Sequence, residues 1–155
     1  MNDLAQTMRE IQVEILPMHP GFGTSKVYLH LNGARGREQL LERLNDSDRF
    51  LPLKGGDGKM RLHAKAGIAA LNCREVPDEV RELMELLPST VPVRIRLRDG
   101  SELEGNLVFV LPGARHRVLD FLNTPEHFFL LATKSGATFV NKDWVDFALP
   151  QMETP

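Results

Sequence analysis

Apolar and polar residues alternate along several short stretches of the chain. Ile11, Val13 and Ile15 are separated by Gln12 and Glu14, Val27, Leu29 and Leu31 by Tyr28 and His30, and Val93, Ile95 and Leu97 by Arg94 and Arg96. A period of two puts one set of side chains on one face of a strand, so each stretch is predicted to be a half-buried strand. Further strands are predicted at Phe50 to Leu53, Leu103 to Leu111 and Phe128 to Leu131, and strand character continues at Met60 and Leu62 and within Thr138 to Leu149. In that last stretch Phe139 and Val145 share one parity and Val140 and Trp144 the other. Pro52 suits an edge or a strand end because it has no amide hydrogen. Gly105 is read as a bulge that bends its strand.

Between the strands the spacing changes to that of helices. Leu40, Leu41 and Leu44 make a short helix of Arg37 to Leu44, and Val80, Leu83, Met84 and Leu87 form an apolar stripe along Pro77 to Leu87. Pro77 suits a first helical turn, and Asp78 and Glu79 complement its positive end. A third helix is expected from Asp3, as N-cap, to Arg9. Gly55-Gly56-Asp57-Gly58, Asp99-Gly100 and Ser135-Gly136 read as turns between strands. The first is not a phosphate cradle, because it precedes a strand and lacks the Gly-Lys-Ser/Thr ending.

The pattern occurs twice. Val13 matches Val93, Ile15 matches Ile95, and Leu31 with Gly33-Ala34-Arg35 matches Leu111 with Gly113-Ala114-Arg115. Two extra residues then enter the first copy, after which Leu41, Leu44, Asn45, Phe50, Leu53 and Gly58 match Leu119, Leu122, Asn123, Phe128, Leu131 and Gly136. Beyond Leu62 the match is open, with Ile68 corresponding to Val145 or to Phe147. The expected organisation is a first β-rich repeat at 1–73, a linker with an amphipathic helix at 74–90, a second repeat at 91–150 and a loose tail at 151–155. The predicted fold class is mainly β with short helices, a β-rich α+β protein. It is a tandem duplication of a small bent antiparallel sheet, or SH3-like or Sm-like partial barrel, with the copies related by a pseudo-two-fold. Units this small bury little apolar surface alone, so they are expected to share a core or an intimate interface.

Composition narrows the function classes. With 19 basic and 21 acidic residues the net charge is −2, which gives no broad attraction to nucleic acid. No apolar run approaches the roughly 20 residues of a spanning helix, the N-terminus lacks signal-peptide character, and one lone cysteine agrees with a reducing compartment. A cytoplasmic protein with no membrane partner is therefore expected. Cys73 reads as a small core hydrophobe. His19, His30, His63, His116 and His127 are scattered singly, without partners at ligand or catalytic spacing. No catalytic residue, metal ligand or cofactor site is assigned, no cofactor is expected, and the chain is read as a non-enzyme.

Ile95-x-Leu97-x-Asp99-Gly100-x-x-Leu103-x-Gly105-x-Leu107 resembles the first motif of Sm-like RNA-binding proteins, the family that includes the bacterial Hfq chaperone. Phe139 to Val145 is similar to that family's second motif. The resemblance implies a bent five-strand barrel and RNA binding. It departs at Arg117 to Asn123, which replaces a simple strand passage, and at Asp143, where the family has a histidine. Arg117-x-x-Asp120-Phe121-Leu122-Asn123, followed by Phe128-x-x-Leu131 and Val140-Asn141-Lys142, also resembles small uncharacterised bacterial domains with an R-L-x-D-F-L-N type core. That family brings no activity with it.

The leading expectation is a non-catalytic protein–protein interaction or adaptor module whose partner is another protein. Its candidate surface is Arg115, Arg117, Asp120, Asn123, Asn141, Lys142 and Trp144, with a weaker equivalent at Arg35, Arg37 and Asn45. The alternatives are Sm-like RNA binding through Arg115, Arg117, Lys142 and a stacking Phe121 or Trp144, and a small-anion or nucleotide sensor near Arg115 and Arg117. Association of identical chains, through a strand edge or the 80–87 stripe, is left open.

Overall fold

In the computed structural model of the chain, the described residues are 8–17, 25–32, 40–74, 81, 82, 85, 89–109, 118–134 and 136–151. Ten antiparallel strands form one unclosed sheet. The first half supplies β1 (Met8–Pro17), β2 (Ser25–Asn32), β3 (Phe50–Gly55), β4 (Met60–Ala64) and β5 (Ile68–Cys73). The second supplies β6 (Ser89–Leu97), β7 (Glu102–Phe109), β8 (Phe128–Thr133), β9 (Gly136–Asn141) and β10 (Val145–Pro150). Two short helices, α1 (Leu40–Asn45) and α2 (Val118–Leu122), precede β3 and β8, and 3-10 turns at Lys65–Gly67 and Lys142–Trp144 precede β5 and β10. The protein is thus mainly β with short helices, as the alternation predicts.

Strand order across the sheet is β10-β6-β7-β8-β9-β5-β1-β2-β3-β4. Each half has the same internal order, with its first strand between its fifth and second. Registers correspond as well. Ile15 faces Leu71 as Ile95 faces Ala148, and both pairings carry an irregularity near the start of the fifth strand. Tyr28 faces Lys54 as Asn106 faces Ala132, and Phe50 faces Ala64 as Phe128 faces Asn141. Equivalent positions therefore lie 80 residues apart in β1 and β6, 78 apart in β2/β7 and β3/β8, and 77 apart from β4/β9 onward. This moves the two extra residues of the first half into the β1–β2 connection, rather than after Arg35. It also assigns Ile68 to Val145, and shifts Gly58 out of alignment with Gly136.

The halves meet where β5 pairs with β9, Ala70 facing Val140, Leu71 facing Phe139, Asn72 facing Thr138 and Cys73 facing Ala137. A two-fold between the halves would join like strands or bring β4 onto β10. The sheet does neither: the halves follow one another head-to-tail, joined through unlike edges, and equivalent strands run in opposite directions. The core divides across this joint. On β8, Phe128 and Leu130 enter a cluster built mostly by the first half, whereas Phe129 and Leu131 enter the second half's cluster. On β9, Phe139 belongs to the first and Val140 to the second. The continuous apolar run of β8 follows from burial on both faces.

Local expectations hold in part. In β1, Val13 and Ile15 are buried while Gln12 is exposed; in β6, Val93, Ile95 and Leu97 are buried. Pro52 is tolerated because the β2–β3 ladder ends at Tyr28–Lys54, leaving that part of β3 hydrogen-bonded only to β4. Met8 and Arg9 pair with Asn32 and Leu31 in β1, so the helix expected to end at Arg9 gives way to strand pairing there. Gly105 lies in an unbroken β6–β7 ladder rather than a bulge. A Cβ at this position would collide with the Ala132 carbonyl oxygen of β8, so glycine here permits close approach of two strands. Of the helix expected at Pro77 to Leu87, Arg81, Glu82 and Glu85 are helical and exposed, and the rest lies outside the described residues.

Candidate interaction surface

The sequence-predicted surface does not gather in one place. Arg35, Arg37, Arg115 and Arg117 lie outside the described residues. Asp120 and Asn123 are exposed on and just after α2. Of the other candidates Asn141 is buried, which corrects its assignment to a surface, and Asn45, Lys142 and Trp144 are half-buried.

Asn141, only 2% exposed, donates to the carbonyl of Ile68 at 3.1 Å and accepts the Asp143 amide at 2.9 Å, tying β9 to the first half and capping the 3-10 turn. Lys142 donates from Nζ to the carbonyls of Phe121 and Thr124 and to the Thr124 hydroxyl, with its ammonium 5.3 Å from the Phe121 ring centre. Burial lowers its pKa from the usual lysine value. Lys65, the first residue of the other 3-10 turn, binds the Arg43 carbonyl at 2.9 Å and Asp46 at 2.5 Å. Arg43 and Phe121 are equivalent positions, so both lysines satisfy carbonyls at the end of the preceding helix. Burial opposes charge on Asp46, but the hydrogen bond from Lys65 outweighs it with its other partners, and the net pKa is lowered. Trp144 is half-buried against the second core.

Asn45 sits at the joint. Its amide donates to the Phe128 carbonyl at 3.0 Å and accepts the Phe128 amide at 2.8 Å, so the last residue of α1 satisfies a residue of β8 on both sides. Asn123 occupies the equivalent position after α2 and is exposed.

Around the joint a cleft of about 280 Å³ is lined by residues of both halves, among them Asp46, Arg49, Lys65, His127 and Asp143. Its Lys65 ammonium is already matched by Asp46. His127 and Asp143 approach to 3.7 Å, and both are largely exposed. Among the described residues, no three of His, Cys, Asp and Glu gather to hold a metal ion. His30 is bound to Glu10 at 2.8 Å across the β1–β2 ladder, a hydrogen-bonded strand residue as its sequence position suggests. Burial pushes the Cys73 thiol up to about 12, which removes thiolate character at neutral pH.

The two free edges carry the surface that sequence reasoning missed. Among the described residues the exposed large hydrophobics are Phe50, Met60, Leu62, Leu119, Phe147 and Leu149. The first three lie on β3 and β4, at one end of the sheet, and the last three on α2 and β10, in the half that ends the other. In the sequence these residues look like ordinary core positions of strands and a helix; pairing decides that none of the described residues covers them.

Compared with protein-family models, curated proteins and solved structures, the chain finds no match. Among the described residues no helix is long and apolar enough to cross a membrane.

Proposed function

We propose that this chain is a non-catalytic protein–protein interaction module, formed by duplication of one five-stranded unit and acting through its two free strand edges. The observation that carries the reading is that, of the six exposed large apolar side chains among the described residues, four, Met60, Leu62, Phe147 and Leu149, lie on those edge strands. Unpaired edges present rows of backbone donors and acceptors that another strand can complete, and proteins ordinarily protect them with charge, proline or a covering element. Here β4 presents Met60 at 50% and Leu62 at 69% exposure on either side of Arg61, and β10 presents Phe147 and Leu149 beside Asp146 and Pro150. A cytoplasmic setting belongs to the same reading and rests on the lone cysteine.

The Sm-like RNA-binding reading draws on the motif around Asp99-Gly100. One of its proposed contacts, Lys142, is hydrogen-bonded within the protein, so it ranks second. Affinity capture from native lysate with the intact chain, compared with a Leu62→Lys/Phe147→Lys variant, tests the order. Protein partners lost on the edge variant support the interaction module. Partners retained equally by both, or capture of RNA that weakens steeply with salt, overturn it.

A further inference from the structure

The joint inside the chain has an unused counterpart at its two ends. β5 of the first half pairs with β9 of the second, while the equivalent of β9 is β4 and the equivalent of β5 is β10. Those are the two edges of the sheet. We infer that the chain associates head-to-tail with a second copy of itself, β4 of one protomer pairing antiparallel with β10 of the next in the register of the β5–β9 joint. This rests on the interaction-module reading and names its partner.

The register follows directly. Val140, Phe139, Thr138 and Ala137 correspond to His63, Leu62, Arg61 and Met60, and Ala70, Leu71, Asn72 and Cys73 correspond to Phe147, Ala148, Leu149 and Pro150. His63 therefore faces Phe147, Leu62 faces Ala148, Arg61 faces Leu149 and Met60 faces Pro150. Residues covered by the internal joint have exposed equivalents at the ends. Phe128 is 2% exposed and Phe50 53%; Phe139 is fully buried and Leu62 is 69% exposed. Leu41 packs against the first core, whereas Leu119 is 65% exposed. Asn123 is placed to do for Phe50 of the neighbouring protomer what Asn45 does for Phe128. The new joint differs in composition. Ala64 stands where Asn141 bonds across the internal joint, and Arg61 and Leu149 replace the hydrogen-bonded Thr138–Asn72 pair. Pro150, without an amide hydrogen, falls at the end of the paired segment. Because the contact joins unlike surfaces, it leads to a closed ring if successive rotations close, and to an open chain if they do not.

Complementation of edge variants tests the inference. Light scattering or native mass spectrometry of the wild type at high micromolar concentration is expected to give a mass of at least two 17.5 kDa chains. Leu62→Lys, which disables β4, and Phe147→Lys, which disables β10, should each return the single-chain mass with an unchanged circular dichroism spectrum. Mixed in equal amounts they should form a two-chain species, since one intact β4 then meets one intact β10. A wild type that stays at the single-chain mass, an assembly indifferent to either substitution, or a mixture that does not recombine overturns head-to-tail association. Should a lysine variant misfold, a Leu62→Cys/Ala148→Cys chain gives an independent answer. Oxidation is expected to produce covalent multiples through this register pair, and their absence overturns the inference. A monomeric wild type whose edges still capture other proteins would leave the interaction module standing while removing self-association.

Discussion

Replacing Asn45 by alanine separates the joint from the rest of the fold. The side chain makes two hydrogen bonds to Phe128, at 2.8 and 3.0 Å, and Phe128 is only 2% exposed. Truncation leaves one backbone amide and one carbonyl without this partner. Each buried unsatisfied polar group costs about 1–3 kcal/mol, and partial access of water at this half-buried position favours the lower part of that range, so a total loss of about 2–4 kcal/mol is expected. Against a typical stability of about 5–15 kcal/mol this is a large fraction. For a chain of this size it corresponds to a fall of roughly 4–16 °C in Tm. The matching change Asn123→Ala removes an exposed side chain and should stay within about 0.5 kcal/mol at a concentration where the chain is monomeric. Urea unfolding followed by circular dichroism measures both. A loss below about 0.5 kcal/mol for Asn45→Ala, or equal losses for the two variants, would refute the assignment of Asn45 as the clasp between α1 and β8.

Three further outcomes follow from particular contacts. Phe139→Ala should cost about 3–5 kcal/mol, because the fully buried ring belongs to the second half's strand but fills the first half's core; a loss under about 1 kcal/mol in urea unfolding contradicts that placement. The Arg61 guanidinium, bonded to Asp57 at 2.9 and 3.1 Å, and the Lys59 amide hold the Asp57 carboxyl down from 3.8 to about 2. A depressed folded-state value stabilises above pH 3.8 and is lost as pH falls toward 2, so Asp57→Asn should have a lower urea midpoint than wild type at neutral pH, with the gap closing across that window. A gap independent of pH would disprove the ion pair's contribution. Cys73 should react with a thiol reagent near pH 8 only in denaturant, since burial holds its thiol neutral; rapid labelling of the native protein would contradict this.

The strands around Val13, Ile15, Val93 and Ile95 were legible because a sheet with one covered face imposes a two-residue period on its sequence. Leu40 and Leu44 revealed α1 in the same way, through four-residue spacing. The Ala-rich stretch between Leu62 and Leu71 carries neither a two-residue nor a helical period. Its β5 segment, Ile68–Cys73, is a strand because β1 and β9 flank it, and both partners are distant in sequence. Nor did parity extend through Thr138 to Leu149. The 3-10 turn at Lys142–Trp144 resets the alternation, so Phe139 enters one core and Val145 packs against the other. The candidate surface was least legible. Lys142 and Asn141 read as polar groups free to meet a partner, but helix-end carbonyls and the neighbouring strand claim them.

Local sequence alone determined most of the strands, the helix at Leu40 to Leu44 and that similar segments occur twice, since these depend on spacing, turn residues and side-chain type. Tertiary structure decided which edges meet. Equivalent strands carry similar patterns, yet β9 is buried between β8 and β5 while β4 is left at the end of the sheet. Leu62 and Phe139 are both apolar residues at equivalent positions, and only the neighbour across the strand makes one a core residue and the other a surface.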